Sequence, residues 1–245
     1  MNQQPFIFAH RGASGTHPEN TMAAFRAAAD KGAQGIELDV QMTRDGELVV
    51  IHDETVNRTT NGSGAIERMT AAEVAALDAG SWFSPSFAGD PVPTLEDVFT
   101  WAAGNDLQIN VELKTNKVPY HGIEKKVLDV IEHFDMRGRV VLSSFNFDSI
   151  KRVIELDPYI AVAGLIWKIR RDALLKAKDL GLTALHVQTS FALSDYGKEA
   201  VDSGMLLRLY TINDMREWQR VTASGLPVEA IITDYPERFV TVSSD

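Results

Sequence analysis

The stretch RVVLSSFNFDSIKRVIELDPYIAVAGL, residues 139–165, decides the fold that we predict for this chain. It begins with a strand-like apolar run, continues with FDSIKRVIELD, whose apolar residues recur at helical spacing, and ends in a second apolar run. A strand, a helix and another strand in this order are typical of a βαβ unit, in which the two strands are parallel and the helix covers the sheet.

The same alternation extends in both directions along the chain. Most of the predicted strands are followed by a helix, and the strands lie near residues 6, 36, 109, 141, 161, 186, 208 and 231. Eight such units predict an α/β fold of the (β/α)8 TIM barrel type. A further apolar run, 47–52, either extends the second unit or pairs beside it. The alternative is an open doubly wound sheet, but the sequence contains no G-x-G-x-x-G turn or Walker loop to support it.

One segment interrupts this alternation. Residues 53–93 contain Gly, Ser and Pro around a single short helical patch, and about forty residues is far longer than an ordinary connection between a strand and a helix. We therefore expect a single domain over residues 1–245 with a small inserted subdomain at 53–93. The aromatic side chains of Trp82, Phe83 and Phe87 could form either the core of the insert or a wall over the leaving group of a substrate, and we expect the core.

The composition excludes several classes of partner and site. The 34 acidic residues outnumber the 24 Lys and Arg, and the net charge of −10 argues against general binding to nucleic acid or anionic lipid. The chain has no cysteine, which excludes disulfides and thiolate sites. Its first residues lack the pattern of a signal peptide, and no apolar run reaches the roughly 20 residues of a membrane span. We expect a cytoplasmic protein with a small-molecule substrate.

Ionisable residues lie at the predicted ends of several strands. In a TIM barrel the active site is built from the C-terminal ends of the strands. Four apolar segments bring charged or titratable groups to that rim, namely His10 with Arg11, Glu37 with Asp39, His52 with Asp53, and Glu112 with Lys114. These residues are therefore the candidates for the site.

The three acids Glu37, Asp39 and Glu112 suggest a metal site. Glu37 and Asp39 are two residues apart on one strand, so their side chains face the same side with Cα atoms about 6.5 to 7 Å apart. Three carboxylates at one place repel one another unless a positive charge lies between them. Oxygen ligands favour one hard divalent cation, Mg²⁺ or Ca²⁺, and the lack of cysteine disfavours structural zinc.

The remaining candidates complete a site for phosphoryl transfer. His10 and His52 come from different strands and could act as an acid and base pair, because imidazole titrates near neutral pH. Arg11 and Lys114 supply the fixed positive charge that a phosphate needs.

Three motifs carry a specific resemblance. HRGASGTHPENT, GIELDVQMTRDGELVVIHD and INVELK resemble those of the glycerophosphodiester phosphodiesterase family, cytosolic bacterial type, and the resemblance covers about residues 8–240. It includes the insert after His52. The late motif YTIND, 210–214, departs from the family pattern, which usually begins with Trp where this chain has Tyr210.

The resemblance implies an activity and a role for each candidate. It implies a TIM-barrel catalytic domain that hydrolyses glycerophosphodiesters to sn-glycerol 3-phosphate and an alcohol with a divalent metal. His10 and His52 would be the general acid and base, and Arg11 and Lys114 would contact the phosphate. The metal ligands would be Glu37, Asp39 and Glu112. The implied mechanism is attack of the glycerol 2-hydroxyl on phosphorus, followed by hydrolysis of the cyclic phosphate.

Two other functions are compatible with these residues. One is a related lysophospholipase D or sphingolipid phosphodiesterase, which would need an exposed apolar docking surface. The other is a non-catalytic barrel that binds a phosphate ligand, which we would expect to have lost a histidine or a carboxylate of the set. The sequence is compatible with Mg²⁺ and with Ca²⁺, and with more than one alcohol head group and oligomeric state.

Overall fold

The chain forms a closed barrel of parallel strands in a computed structural model that describes residues 5–240. Within these residues the ring closes because the first strand pairs with both the second and the last. The eight strands of the ring are β1 (Phe6–His10), β2 (Gly35–Met42), β4 (Gln108–Leu113), β5 (Val140–Ser144), β6 (Ala161–Ile166), β7 (Ala184–Val187), β8 (Leu206–Leu209) and β9 (Ala230–Thr233), and β3 (Leu48–Val50) lies outside it. The predicted TIM barrel is confirmed, and the open sheet is excluded.

Helices follow most of the strands and surround the ring. In chain order the helices are α1 (Met22–Asp30), α2 (Ala71–Ala75), α3 (Leu95–Ala102), α4 (Ile123–His133), α5 (Phe147–Leu156), α6 (Arg171–Asp179), α7 (Thr189–Ala192), α8 (Asp195–Asp202) and α9 (Met215–Ala223). Side-chain caps fix several of their starts: Thr21 caps α1, Thr94 and Asp97 form a capping box on α3, and Asn146 caps α5. A short 3₁₀ turn, Pro236–Arg238, follows the last strand.

The run at 47–52 pairs beside the second strand and does not extend it. β3 is antiparallel to β2, with Val40 opposite Val50, and the backbone N–H of Ile51 donates to the carbonyl of Asp39 at 3.0 Å. The chain therefore turns back over the rim after β2. His52, which follows directly, is brought to the level of Asp39 by this hairpin.

The main core lies between the barrel and its helices. Along β2, Ile36 and Leu38 are fully buried against the helices, while Glu37 and Asp39 alternate with them and face the inside of the ring. Each large apolar side chain buried in this way stabilises the fold by about 1.5 to 3 kcal/mol. The alternation thus places the acids inside the barrel, while the apolar side chains on the other face of the strand pack against the helices. Within the described residues, no helix is long and apolar enough to cross a bilayer.

Residues 53–93 form a compact segment against β3. The segment contains α2, two 3₁₀ turns and two isolated β-bridges, Thr55 to Ala65 and Asp78 to Pro91. A separate apolar cluster joins it to β3 and consists of Val49, Ile51, Val56, Ile66, Val74, Ala79 and Val92.

The aromatic side chains of this segment do not form its core, so that prediction is wrong. Trp82 and Phe83 are 40% and 37% exposed and pack edge to face at 5.7 Å between ring centroids, and Phe87 packs on His17. The smaller aliphatic side chains of the cluster fill the interior instead. Trp82 lies at the surface, and its indole N–H donates to the carbonyl of Ala79.

Candidate active site

The three predicted metal ligands meet inside the barrel. Asp39 on β2 pairs in register with Glu112 on β4, and Glu37 lies one inward position earlier on β2. Each of the three side chains offers an oxygen, and these oxygens lie within 4.8 Å of one another. All three residues are buried, with Asp39 only 1% exposed. This carboxylate cluster is a site that could hold a metal ion.

Two predicted phosphate ligands lie directly beside the carboxylate cluster. Nζ of Lys114 is 2.7 Å from Oε1 of Glu112 and 3.5 Å from Oδ1 of Asp39. Nε of Arg11 is 3.3 Å from Oδ2 of Asp39, and the Arg11 backbone N–H donates to Oε2 of Glu37 at 2.9 Å. The cluster and the cations therefore form a single buried network of charges.

The charges in this network remain unbalanced around Glu37. Burial, with the negative charge of Asp39, raises the pKa of Glu37 to about 8. Burial would also raise the pKa of Asp39, but the charges of Lys114 and Arg11 outweigh it and hold that pKa below its usual range. A buried acid that keeps its proton near neutral pH beside two further carboxylates indicates a place for additional positive charge. The donor set, all carboxylate oxygens, fits a hard divalent cation.

His10 is held by an acid from the far end of the chain. Its Nδ1 lies 2.6 Å from Oδ1 of Asp234, which follows β9, and its Nε2 lies 4.0 Å from Oε2 of Glu37. Ser14 and Asn213 also donate to Asp234. These bonds outweigh burial and lower the pKa of Asp234, so its carboxylate is ionised and Nδ1 of His10 carries the proton. Nε2 is thereby left to face the carboxylate cluster.

His52 has the same kind of partner. Its Nδ1 lies 2.7 Å from Oδ1 of the neighbouring Asp53, and its backbone carbonyl accepts from the Gln41 side chain at 2.9 Å. The hydrogen bond from Arg58, aided by the one from His52, holds the pKa of Asp53 well below its usual range. The carboxylate can then only accept, so Nδ1 of His52 also carries the proton.

The turn after β1 depends on one glycine. Arg11 and Gly12 both have positive φ, 54° and 80°, and a Cβ at Gly12 would lie 2.6 Å from the backbone of Ala24 in α1. Gly12 is therefore needed because the turn lies directly against α1. This close approach places the Arg11 side chain over the carboxylate cluster.

Asn20 has a role that its sequence context did not indicate. It belongs to the motif HRGASGTHPENT and directly precedes Thr21, which caps α1. Asn20 is 3% exposed, has a positive φ of 58° and makes two hydrogen bonds to Asp39. Its Nδ2 donates to Oδ2 of Asp39 at 2.9 Å, and its Oδ1 accepts from the Asp39 backbone N–H at 3.3 Å. Asn20 thus orients one of the three clustered acids.

A cavity of about 280 Å³ opens onto this network. Its lining includes both histidines, Arg11, Lys114, Glu37 and Glu112, and the aromatic side chains of Phe145, Trp167 and Tyr210. Trp167 lies at the mouth and is 54% exposed. His186 is fully buried beside Arg208, and burial lowers its pKa well below the usual range. Of the candidate residues at the strand ends, Asp39 and Asp53 do not line the cavity, and Asp39 is almost fully buried.

Residues outside the predicted set complete the site. Asp234 directly follows the last strand and Asn20 directly precedes the cap of α1, but the sequence alone could not assign a partner to either residue. A third group, Glu19 and Arg58, surrounds Arg11 and Asp53. The contacts between Asp234 and His10 and between Arg58 and Glu19 join segments that are distant in sequence.

The chain is similar to known proteins over nearly its whole length. Residues 10–238 match the Glycerophosphoryl diester phosphodiesterase family. The glycerophosphodiester phosphodiesterase of Caldanaerobacter subterraneus subsp. tengcongensis is 39% identical over 240 residues, which cover 96% of this chain and 96% of that protein. That of Bacillus altitudinis is 37% identical, with 98% of each chain covered.

A solved structure shows the same architecture. A phosphodiesterase of Oleispira antarctica, in complex with the product sn-glycerol-3-phosphate, superposes with a TM-score of 0.86 at 30% identity, covering 96% of this chain and 95% of that chain. These matches confirm the resemblance seen in the sequence and the assignment as an enzyme. The chain therefore belongs to the glycerophosphoryl diester phosphodiesterase family.

Proposed function

We propose that this enzyme hydrolyses glycerophosphodiesters, such as glycerophosphocholine and glycerophosphoethanolamine, to sn-glycerol 3-phosphate and an alcohol. The observation that carries the proposal is the pairing of His10 with Asp234 and of His52 with Asp53 on the wall of one cavity, above three clustered carboxylates. The relative from Oleispira antarctica, solved with sn-glycerol-3-phosphate, supports the choice of product.

The proposed cofactor is one divalent cation, Mg²⁺ or Ca²⁺, held by Glu37, Asp39 and Glu112. When bound, such a cation supplies positive charge that stabilises the oxygens of a phosphoryl group during transfer. The burial of the three acids and the raised pKa of Glu37 support this assignment.

The two histidines are proposed to move the protons. With Nδ1 held by a carboxylate, each imidazole presents Nε2 as the exchanging atom. One histidine accepts the proton of the glycerol 2-hydroxyl as this oxygen bonds to phosphorus, and the other donates a proton to the departing alcohol oxygen. In the second step a water attacks the cyclic phosphate and the two roles are reversed, which restores both histidines.

Arg11 and Lys114 are proposed to bind the phosphate. Both line the cavity, and both carry raised pKa values despite the opposing effect of burial, because the acids beside them favour the charged form. Two permanently charged donors can neutralise the phosphoryl oxygens in the ground state and in the transition state.

We further propose that the chain is one catalytic domain in which residues 53–93 are an inserted subdomain. The separate apolar cluster of this segment supports that division. The expected cytoplasmic location remains a prediction.

Incubation with glycerophosphocholine tests the function. With Mg²⁺ or Ca²⁺ present, sn-glycerol 3-phosphate should form, measured through a coupled dehydrogenase, and a chelator should abolish its formation. The variants H10A and H52A should each lower kcat by about 10² to 10⁴. H121A is the matched control because His121 is exposed and lies outside the cavity. The absence of product with either metal, or near-normal turnover by either variant, would contradict the proposal.

A further inference from the structure

Arg58 bridges two acids at the edge of the site. Its Nη1 and Nη2 each donate to one carboxylate oxygen of Glu19 at 2.8 Å. On its other side, Nε and Nη2 donate to the two oxygens of Asp53 at 2.8 and 3.1 Å. A single guanidinium thus makes two bidentate contacts, the geometry that gives Arg–carboxylate pairs their specificity.

The two acids each hold a residue of the active site. Oε1 of Glu19 accepts from Nη1 of Arg11 at 2.8 Å, and Oδ1 of Asp53 lies 2.7 Å from Nδ1 of His52. The chain of contacts therefore runs Arg11, Glu19, Arg58, Asp53 and His52, and we call these five residues the Arg58 clasp. The clasp joins the turn after β1 to the residues after β3.

The backbone that carries Arg58 is fixed by its neighbours. Val56 is fully buried in the cluster of segment 53–93, and its N–H donates to the carbonyl of Gly64 at 3.0 Å. The Thr60 hydroxyl donates back to the carbonyl of Val56 at 2.6 Å, which closes the turn around Arg58. The guanidinium is therefore presented from a packed loop and can hold its two acids in place.

The burial of Glu19 separates its contact with Arg58 from an ordinary surface ion pair. Isolated exposed pairs contribute about 0 to 1 kcal/mol and do not fix geometry. The Glu19 side chain, however, is only 14% exposed. Burial alone would raise its pKa, but the hydrogen bonds from Arg58 and the charge of Arg11 outweigh burial and lower it, so Glu19 is ionised. A buried carboxylate shared by two arginines has few other positions available to it.

We propose that Arg58 is a positioning residue that holds Arg11 and His52 in register across the active site. This gives segment 53–93 a part in catalysis that does not require contact with substrate. The inference rests on the roles of Arg11 and His52 in the proposed function. Loss of Arg58 would free Asp53 to turn and would leave Glu19 paired with Arg11 alone, so both ends of the clasp would loosen together.

Kinetics of R58A provide the first test. Partners that orient catalytic groups typically cost about 10- to 100-fold in activity when removed, and we expect kcat to fall by that amount. R68A is the matched control, because Arg68 belongs to the same segment and its side chain is 83% exposed. It should retain wild-type kcat and KM. Thermal unfolding of both variants, followed by circular dichroism, shows whether the fold is intact.

A binding measurement tests the Arg11 end of the clasp without turnover. We expect the Kd for sn-glycerol 3-phosphate, measured by calorimetry in buffer containing Mg²⁺, to rise about tenfold in R58A and to remain unchanged in R68A. If wild-type protein binds this ligand but hydrolyses no glycerophosphodiester, the proposed function fails while the clasp is still tested by the change in Kd.

Chemical rescue separates positioning from simple stabilisation. The Arg58 side chain is 43% exposed, so free guanidinium can enter the space left by R58A. We expect guanidinium, below concentrations that lower the unfolding temperature, to restore part of kcat, and ethylammonium to restore little. R58K should recover only a small part, because lysine lacks the planar fork. The proposal would be overturned if R58A kept the wild-type kcat and Kd. It would also be overturned if the kcat of R58A fell in proportion to a lower unfolding temperature and guanidinium did not restore it.

Discussion

Metal binding should release a proton, and its affinity should depend strongly on pH. Burial and the charge of Asp39 raise the pKa of Glu37 to about 8, so the metal-free protein holds a proton on this acid at neutral pH. A cation that binds Glu37 must displace that proton. Because this pKa is raised, the affinity for the metal ion should fall as pH drops below 8 and should reach its full value above pH 8.

The size of this effect follows from the pKa. At pH 6, two units below the pKa, about 1% of Glu37 is ionised, so the apparent affinity should be about 100-fold weaker than at pH 9, or about 2.7 kcal/mol at 1.36 kcal/mol per unit. At pH 7, binding of one ion should release about 0.9 proton from Glu37.

Isothermal titration with Mg²⁺ and with Ca²⁺ at several pH values measures both quantities. Repeating the titration at pH 7 in two buffers of different ionisation enthalpy gives the number of protons released. E37Q is the matched variant, since glutamine keeps an oxygen ligand but cannot titrate; its affinity should be weaker and should lose most of its pH dependence. An affinity that changes less than about threefold between pH 6 and pH 9 in the wild type would refute the reasoning.

Three further outcomes are expected. D234N should lower kcat by up to about 10⁴, because the amide no longer fixes the Nδ1–H tautomer of His10, with little change in the circular dichroism spectrum. G12A should lower the free energy of unfolding in urea by more than the roughly 1 to 2 kcal/mol expected from positive φ alone, and G181A, whose added Cβ would meet nothing within 4 Å, should lose only that amount. E112Q should raise the metal concentration needed for half-maximal activity; an unchanged requirement would remove Glu112 from the ligand set.

Local patterns were sufficient to predict the barrel and most of the residues that meet at the candidate site. The period of two along β2 distinguishes inward Glu37 and Asp39 from outward Ile36 and Leu38, and this period is a property of neighbouring residues alone. The rule that chemistry lies at strand ends then selected His10 without any knowledge of contacts. The structure brings these predicted residues together.

The partners of these residues could not be predicted in the same way. Asp234 is 224 positions from His10, and the two meet only because the ring closes. Asn20 stands directly before Thr21, the cap of α1, and its hydrogen bonds to Asp39 depend on how α1 approaches β2. The hydrophobicity of Trp82 favoured a place in the interior, but the side chain lies at the surface, where its indole N–H donates to a backbone carbonyl. Nothing in the sequence pattern distinguishes an interior from a surface position for this residue.

The pairing of β1 with β9 also has a consequence for biosynthesis. His10 is synthesised before Asp234, and a nascent chain that still lacks β9 and Asp234 has only one of the two His–Asp pairs. Under the proposed mechanism, both histidines are oriented only after β9 has paired with β1 and closed the ring.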